Sequence, residues 1–490
     1  MKLNLLMERV QTISVSGSTD VDVKGITHDS RRVKPGFIFC ALPGQRDDGN
    51  QYVQDAIDKG AIAIVSDRAT SMSRGQVVSI QVSEPRATVA ALACAFYGDP
   101  SRKLKVLGIT GTNGKTTAAF MARDIFRAAG RKPGMIGTVD YEIGDRIIPA
   151  GRTTPEATDL QKMLAEMVHV GCDSVTMEVS SHALVQKRIL GIEFDVVVFT
   201  NLTHDHLDYH ASMPQYFAAK ALLFQGLARQ KKRAFAVINM DDPWGEQLAR
   251  LPELKAQVIT CGLSRNAMVH AERIKIDANG SHVDVCSPWG SVTLNMQLLG
   301  RFNVHNALTA LAACGVLDVD PALSAAVLSK MTSVPGRLEE IKTNQGFQVF
   351  VDYAHTEDAL HNVLTTLREI TSNRLIVVFG CGGDRDNKKR PLMGGVVARL
   401  ADYAVLTSDN PRKENPSDII AQIRNGIQDP DAYEVVADRY EAITRALSLA
   451  DKGDVVLIAG KGHEKYQEFA NTVIPFDDCQ VVRECMRINA

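Results

Sequence analysis

Short apolar runs alternate with helix-forming stretches along most of this chain, which is the pattern of an α/β protein. In the first hundred residues, Phe37 to Leu42 and Ala61 to Val65 are predicted strands. Tyr52 to Lys59 between them is a predicted helix, and another is predicted over Pro85 to Tyr97. Residues 1–97 are therefore expected to form a small N-terminal α/β domain.

The alternation continues through residues 98–334, where buried-type strands separated by helices predict a mostly parallel sheet. Ser174 to Val179 and Asp195 to Thr200 are two such strands, and polar residues follow each of them at once. The first carries Glu178 near its end and is followed by Ser180-Ser181-His182. The second is followed by the polar stretch 201–208. Open α/β sheets bind ligands at the carboxyl ends of their strands, so this edge is a candidate site.

Residues 335–490 repeat the strand and helix alternation and predict a third domain, Rossmann-like and without a phosphate loop. Its predicted strands are Val349 to Tyr353, Arg374 to Gly380, Ala404 to Thr407 and Asp454 to Gly460, and its helices include Ala359 to Ile370 and Ser417 to Ile427. Three motifs stand at strand ends: Gly-Gly-Asp-Arg-Asp (382–386), Asp-Asn-Pro-Arg (409–412) and Gly-Lys-Gly-His-Glu (460–464). We expect this domain to hold a second substrate, and the fold class to be three-domain α/β.

The segment Gly108 to Thr117 reads Gly-Ile-Thr-Gly-Thr-Asn-Gly-Lys-Thr-Thr, between a β-prone run and the helix-forming run Ala118 to Ala129. A strand, a glycine loop and a helix N-terminus in that order cradle phosphate groups. Lys115 would reach the β- and γ-phosphates and the Thr116 hydroxyl would bind Mg²⁺. Ile109 stands where a strict P-loop has glycine, yet we expect this central domain to bind a nucleoside triphosphate.

Composition narrows the class of protein. A length of 490 residues fits about three domains of ~150 residues each. A net charge of -2 gives no drive towards nucleic acid or membranes, and no apolar stretch approaches the ~20 residues that span a bilayer. The nine cysteines include no Cys-x-x-Cys pair, as expected for reduced thiols. We therefore expect a cytoplasmic protein without membrane insertion.

Metal chemistry is predicted beside the phosphate loop, because a triphosphate is usually neutralised by Mg²⁺ before phosphoryl transfer. Mg²⁺ prefers oxygen ligands, so Thr116 and Glu178 are the expected first pair. His206, Asp205 and Asp208 are available to a second ion.

Two alternatives remain open from the residues alone. The string His204-x-His206-x-Asp208 also fits a dinuclear zinc hydrolase, although that pattern would have histidine where Tyr209 stands. Lys220 lies in an otherwise apolar helix, where a lysine commonly packs its stem and extends its ammonium group to water.

Six motifs in this order resemble those of the Mur ligase family of bacterial cell-wall synthesis, over essentially the whole chain. They are Gly-Thr-Asn-Gly-Lys-Thr-Thr (111–117), Thr-Thr-Pro (153–155), Glu-Val-Ser-Ser-His-Ala-Leu (178–184), Asn-Leu-Thr-His-Asp-His-Leu-Asp-Tyr-His (201–210), Gly-Arg-Phe-Asn-Val-His-Asn (300–306) and Asp-Tyr-Ala-His (352–355). The family's own phosphate loop has the glycine spacing found here. One difference is Glu357, where the family usually has proline.

The resemblance implies roles for individual residues. Those near ATP would be Gly111, Thr112, Asn113, Gly114, Lys115, Thr116, Thr117, Asn306, Arg337 and His355. Thr116 and Glu178 would bind one Mg²⁺, and His206 with a carbamylated Lys220 would bind a second, so that Lys115, Glu178, His206 and Lys220 form the catalytic set. The UDP-MurNAc-dipeptide contacts would be Ser30, Gln45, Arg46, Asp47, Thr153, Thr154, Ser180, Gln186 and Arg188. The diaminopimelate contacts would be Arg385, Asp409, Asn410, Pro411, Arg412, Gly460 and Glu464.

Arg412 decides between two amino-acid substrates. Meso-diaminopimelate carries a carboxylate and an amine at its far end, whereas lysine carries only the amine. An arginine can hold a carboxylate through two parallel hydrogen bonds. The family's lysine-adding members lack this arginine, so the resemblance implies diaminopimelate.

The resemblance therefore implies a monomeric, ATP-dependent amide ligase of peptidoglycan precursor synthesis. It would add meso-diaminopimelate to UDP-MurNAc-L-Ala-D-Glu through an acyl phosphate. The implied division is a UDP-MurNAc-binding domain (1–97), an ATP-binding ligase domain (98–334) and an amino-acid-binding domain (335–490). The alternatives are a lysine-adding ligase, a ligase like folylpolyglutamate synthase, and a nucleotide-driven switch.

Overall fold

The computed structural model describes residues 1–44, 48–69, 77–277 and 280–487. Their strands form sheets of five, eleven and six strands and one two-stranded hairpin. Helices pack against the large sheets, each of which belongs to one segment of the chain. The predicted three-domain α/β architecture is thus confirmed.

The N-terminal sheet has the strand order β1-β5-β4-β3-β2, parallel except for β1 at one edge. Its elements are α1 (Leu3–Met7), β1 (Ser14–Ser16), β2 (Gly25–Thr27), β3 (Phe37–Cys40), α2 (Val53–Asp58), β4 (Ala63–Ser66), β5 (Val78–Gln81) and α3 (Pro85–Phe96), with 3₁₀ turns at Ser30–Arg32 and Gly49–Tyr52. The two apolar runs predicted as strands form β3 and β4. Every residue of β4, the middle strand of the sheet, is buried.

The central domain contains eleven strands in the order β16-β15-β14-β13-β12-β11-β6-β10-β7-β8-β9. Its strands are β6 (Lys105–Thr110), β7 (Pro133–Ile136), β8 (Asp140–Ile143), β9 (Arg146–Pro149), β10 (Ser174–Glu178), β11 (Val196–Phe199), β12 (Phe235–Asn239), β13 (Gln257–Gly262), β14 (Val269–Asp277), β15 (Gly280–Ser287) and β16 (Gly290–Met296). Its helices are α4 (Lys115–Ala128), α5 (Ala157–His169), α6 (Ser181–Val185), α7 (Leu207–His210), α8 (Met213–Gly226), α9 (Pro243–Ala249), α10 (Arg301–Gly315) and α11 (Pro321–Leu328), with 3₁₀ turns at Pro100–Lys103 and Leu227–Arg229.

The middle of this sheet is parallel, as the sequence predicted, and β6 lies between β10 and β11. Glu178 pairs in register with Ile109, and Phe199 pairs with Thr110. The glycine loop after β6 and the polar segments after β10 and β11 therefore leave the sheet side by side. The antiparallel strands β8, β9, β15 and β16 extend both edges and were not predicted.

The C-terminal sheet has the order β17-β18-β22-β19-β20-β21 and is parallel except for β17. Its elements are β17 (Glu339–Ile341), β18 (Gln348–Asp352), α12 (Glu357–Ile370), β19 (Leu375–Phe379), α13 (Lys389–Leu400), β20 (Tyr403–Leu406), α14 (Pro416–Arg424), β21 (Tyr433–Val435), α15 (Arg439–Leu449), β22 (Val455–Ala459), β23 (Tyr466–Phe469), β24 (Thr472–Pro475) and α16 (Asp478–Cys485), with a 3₁₀ turn at Pro430–Ala432. The hairpin of β23 and β24 stands apart from the main sheet and was not predicted.

The helices of the described ranges are too short or too polar to cross a bilayer. All nine cysteines lie within those ranges, and each is a free thiol.

Candidate active site

The phosphate loop fits tightly against the rest of the central domain. Gly111 has a φ of +151°, and a Cβ on it would lie 1.9 Å from Thr200 Oγ1. Gly114 has a φ of +85°, and its Cβ would lie 2.3 Å from Asn306 Oδ1 of α10. Side chains are therefore excluded at both positions, and only glycine leaves the loop backbone open to a bound phosphate.

Lys115 folds back over this loop. Its Nζ donates hydrogen bonds to the carbonyl oxygens of Gly111 at 3.0 Å and Thr112 at 2.8 Å. Burial lowers the pKa of Lys115, and the carboxylate of Glu178 partly opposes that shift. The first turn of α4 begins at this lysine, so the positive end of the helix dipole also faces the loop.

The carboxylate of Glu178 joins the start of α4 to the loop after β7. It accepts hydrogen bonds from Thr116 Oγ1 at 3.0 Å, from the backbone N of Thr138 at 2.7 Å and from Thr138 Oγ1 at 3.0 Å. Arg337 of the C-terminal domain donates to Thr116 Oγ1 at 3.1 Å. The predicted pair Thr116 and Glu178 is thus assembled, and it has a partner across the domain boundary.

Lys220 lies inside the protein with 1% of its surface exposed, so it does not extend to water. Its Nζ donates to the carbonyl oxygen of Gly111 at 2.7 Å and lies 4.6 Å from the centre of the Tyr216 ring. Burial, together with the charge of Lys115, lowers the pKa of Lys220 well below the ordinary lysine value. The centre of the Tyr216 ring is also 6.0 Å from that of His206. The two residues predicted to bind a second Mg²⁺, Lys220 and His206, therefore both lie beside Tyr216.

A cavity of about 470 Å³ surrounds the phosphate loop. It is lined by nine of the ten residues predicted near ATP, namely Thr112, Asn113, Gly114, Lys115, Thr116, Thr117, Asn306, Arg337 and His355. Sequence reasoning missed other lining residues, including Asp241, Arg301, Phe302, His305 and Asp358. Asp358 Oδ2 accepts a hydrogen bond of 2.8 Å from Asn113 Nδ2, a contact across the domain boundary that no local signal indicates.

A second cavity of about 880 Å³ adjoins the first and extends into the C-terminal domain. Six of the seven residues predicted for the amino acid line it, namely Arg385, Asp409, Asn410, Arg412, Gly460 and Glu464. Both cavities are also lined by Thr138, Thr153, Asp205, His206, Tyr353 and His355. These six residues therefore form a wall that the two cavities share.

Lys461 is buried beneath the second cavity, and its role was not predicted although its motif was. Its Nζ donates to Asn410 Oδ1 at 3.0 Å and Glu464 Oε2 at 3.2 Å, and lies 3.6 Å from Asp409 Oδ1. The ammonium group of Lys461 thus compensates the negative charges of the Asp409 and Glu464 carboxylates. Burial nevertheless raises the pKa of Glu464.

Four of the residues predicted for the dipeptide form one hydrogen-bonded chain. Thr154 Oγ1 donates to the carbonyl of Glu178 at 2.8 Å and accepts from the backbone N of Ser180 at 3.0 Å. Arg188 donates to the carbonyl of Thr154 at 2.9 Å and to Gln186 Oε1 at 2.6 Å. The chain leads from Glu178, which lines the first cavity, to a narrow cleft beside the N-terminal domain that Gln186 and Arg188 line.

Ser30 is buried in the N-terminal domain, where its carbonyl accepts a hydrogen bond of 3.2 Å from Lys59 Nζ. It lines neither of the two cavities just described. Gln45, Arg46 and Asp47 lie outside the described residues.

Comparison with protein-family models gives one match for each part of the chain. Residues 22–97 match the model described as the Mur ligase family catalytic domain. Residues 109–314 match the Mur ligase middle domain, and residues 336–462 match the Mur ligase glutamate ligase domain.

Curated relatives are similar over nearly the full length. The UDP-N-acetylmuramoyl-L-alanyl-D-glutamate–2,6-diaminopimelate ligase of Geobacillus thermodenitrificans is 44% identical, with 99% of each chain covered. The protein of that name from Syntrophomonas wolfei is 42% identical, again over 99% of each chain. A solved structure of a ligase of the same name has a TM-score of 0.70 at 32% identity, covering 99% of each chain.

Replacing Gly114 tests the phosphate loop. We expect Gly114→Ala to weaken ATP binding at least tenfold, because the new methyl group meets Asn306 and the positive φ disfavours alanine by ~1 kcal/mol or more. Isothermal titration calorimetry with a non-hydrolysable ATP analogue and Mg²⁺ measures this. Gly226→Ala is the matched control, since no heavy atom lies within 4 Å of its added Cβ. Affinity within twofold of wild type for Gly114→Ala would contradict the assignment of the loop.

Proposed function

This chain belongs to the Mur ligase family, and from that premise we propose that it uses ATP to join meso-diaminopimelate to UDP-MurNAc-L-Ala-D-Glu. The similar relatives are named as ligases of UDP-N-acetylmuramoyl-L-alanyl-D-glutamate and 2,6-diaminopimelate, and their names support this choice of substrates. The observation that carries the proposal is Arg412, which lines the larger cavity together with Asp409 and Glu464. An arginine and two acids in one cavity match the carboxylate and ammonium groups of an amino acid's far end.

The reaction has two steps. The γ-phosphoryl group of ATP moves to the γ-carboxylate of D-glutamate, which gives ADP and an acyl phosphate. The amine of diaminopimelate then attacks the acyl carbon, and a tetrahedral intermediate collapses to amide and phosphate. The positive charges of Lys115 and Arg337 stabilise the negative charge of the transferred phosphoryl group. The phosphate loop fixes the position of that group.

The residues beside the phosphate loop fit Mg²⁺. The Thr116 hydroxyl and the Glu178 carboxylate supply hard oxygen ligands 3.0 Å apart. The described residues hold no group of three His, Cys, Asp or Glu side chains arranged to hold a metal ion. Phosphate oxygens and water would complete the coordination of Mg²⁺. When bound, Mg²⁺ neutralises the charge that develops on the phosphates.

Lys220 and His206 would hold a second ion if the lysine were carbamylated. Both Lys115 and Lys220 donate to the carbonyl of Gly111, so two ammonium ions there would repel each other. A neutral Lys220 amine avoids that repulsion and is the form that reacts with CO₂. Its carbamate would add a carboxylate-like ligand beside His206.

We propose that residues 1–97 bind the UDP-MurNAc portion, residues 98–334 bind ATP and residues 335–490 bind the amino acid. Each family model lies within one of these segments, which supports the division. Ser30 and the segment 45–47 are the proposed UDP contacts. We further propose that the protein is a monomer. A cytoplasmic location is also proposed, in keeping with nine free thiols.

A substrate panel tests the function. With ATP and UDP-MurNAc-L-Ala-D-Glu present, we expect product with meso-diaminopimelate and far less with L-lysine, because lysine lacks the carboxylate that Arg412 holds. ATP hydrolysis should require both co-substrates.

Arg412→Ala should raise KM for diaminopimelate by about 10- to 100-fold, as expected for a charge-assisted contact worth ~1.5–3 kcal/mol. Arg445→Ala, an exposed arginine of the same domain, should leave KM unchanged.

A preference for lysine, or a KM within twofold of wild type for Arg412→Ala, would contradict this substrate assignment. ATP hydrolysis without either co-substrate would favour a nucleotide-driven switch instead.

Lys220→Ala tests the carbamate. We expect it to lose most activity, and we expect short carboxylic acids such as acetate or formate to restore part of that activity by supplying the missing oxygens. Steady-state assays across a series of these acids measure the rescue. Lys162→Ala, on the exposed face of α5, should keep full activity and show no response. An inactive Lys220→Ala enzyme that no acid rescues would remove the support for carbamylation.

A further inference from the structure

The β23–β24 hairpin forms hydrogen bonds with one side of the tetrapeptide Asp409 to Arg412. Gln467 Nε2 donates to the carbonyl of Asp409 at 3.0 Å, and the backbone N of Glu468 donates to Asn410 Oδ1 at 2.9 Å. The backbone N of Arg412 donates to the carbonyl of Glu468 at 3.0 Å. These three contacts hold the tetrapeptide against the hairpin without the side chain of Glu468.

The guanidinium group of Arg412 is held separately. Its Nε donates to Glu468 Oε2 at 2.9 Å, and its Nη1 donates to the carbonyl of Gly383 at 2.8 Å. Two of the five N–H donors of the arginine are engaged in this way. The other three, on Nη1 and Nη2, form the outer edge of the fork that a carboxylate can accept from.

We propose that Glu468 is a positioning residue that sets selectivity for an amino acid with a distal carboxylate, by holding the Arg412 fork towards the cavity. This inference rests on the proposed function and deepens it. Arginine has four rotatable side-chain bonds and loses rotamer freedom when it is fixed. Glu468 fixes that side chain before the substrate arrives, so less ordering accompanies binding.

Glu468 suits this role because, among the hydrogen bonds and ion pairs of the described residues, its carboxylate takes part only in those with the Arg412 guanidinium. Backbone groups already connect the hairpin to the tetrapeptide, so removal of the carboxylate leaves their geometry in place. Arg412 has a φ of +49°, and this backbone conformation is maintained by the bond to the Glu468 carbonyl. A side-chain change at residue 468 therefore separates the orientation of the fork from the fold of the loop.

The test compares Glu468→Ala and Glu468→Gln with wild type in the full-length enzyme. Meso-diaminopimelate and ATP are varied in turn, with the other substrates saturating. We expect Glu468→Ala to raise KM for meso-diaminopimelate about tenfold, with kcat and KM for ATP within twofold. Glu468→Gln, which still accepts from Nε without the charge, should raise KM by a smaller factor. The efficiency with L-lysine should not fall, because lysine makes no contact through a distal carboxylate.

Glu434→Ala is the matched control. It removes a similar pair in the same domain, in which Arg445 Nε donates to Glu434 Oε1 at 3.0 Å, away from the cavities. Its KM values should match those of wild type.

The outcomes separate this inference from the proposed function. A wild-type enzyme that does not use diaminopimelate would overturn the proposed function and the inference with it. A wild-type enzyme that uses it, combined with an unchanged KM in Glu468→Ala, would overturn the inference alone. A parallel change in kcat, KM for ATP and KM for diaminopimelate would also overturn it, because that pattern indicates loss of structure.

Discussion

The architecture of the site depends on the carboxylate of Glu178, which is buried at the end of β10 with hydrogen bonds from Thr116 and Thr138. A buried carboxylate without such partners would be strongly disfavoured. The two threonines lie on different elements, Thr116 in the first turn of α4 and Thr138 in the loop after β7. This single group therefore fixes the phosphate loop relative to the wall that the two cavities share.

Parallel strands explain why the reacting groups can meet. The loops after β6, β10 and β11 leave one edge of the central sheet, and those after β18, β19, β20 and β22 leave the matching edge of the C-terminal sheet. The two edges face each other across the cavities, with Thr138, His206 and His355 lining both. An acceptor phosphorylated on one side is thus within reach of an amine held on the other.

Local signals in the sequence predicted much of this arrangement. The phosphate loop, the strands before and after it and the motifs at strand ends were predicted because each depends on neighbouring residues. The tight fit of Gly114 against Asn306 could not be predicted, since those residues are far apart in the chain and meet only in the fold.

The contacts that sequence reasoning missed share this long-range character. Asn113 and Asp358 are 245 residues apart, and Arg412 and Glu468 are 56 apart. The β23–β24 hairpin lacks a strong turn signal between its strands, so neither its existence nor its contacts with residues 409–412 were predicted. Burial of Lys220 is a further case, because an apolar helix does not reveal which of its faces is covered.

The central claim is that a carboxyl oxygen of the acceptor becomes part of the released phosphate. Oxygen-18 placed in the γ-carboxylate of D-glutamate in UDP-MurNAc-L-Ala-D-Glu tests it directly, with the phosphate analysed by mass spectrometry after one turnover. An acyl phosphate predicts one labelled oxygen in each phosphate released. Phosphate without label, alongside normal amide formation, would contradict the account.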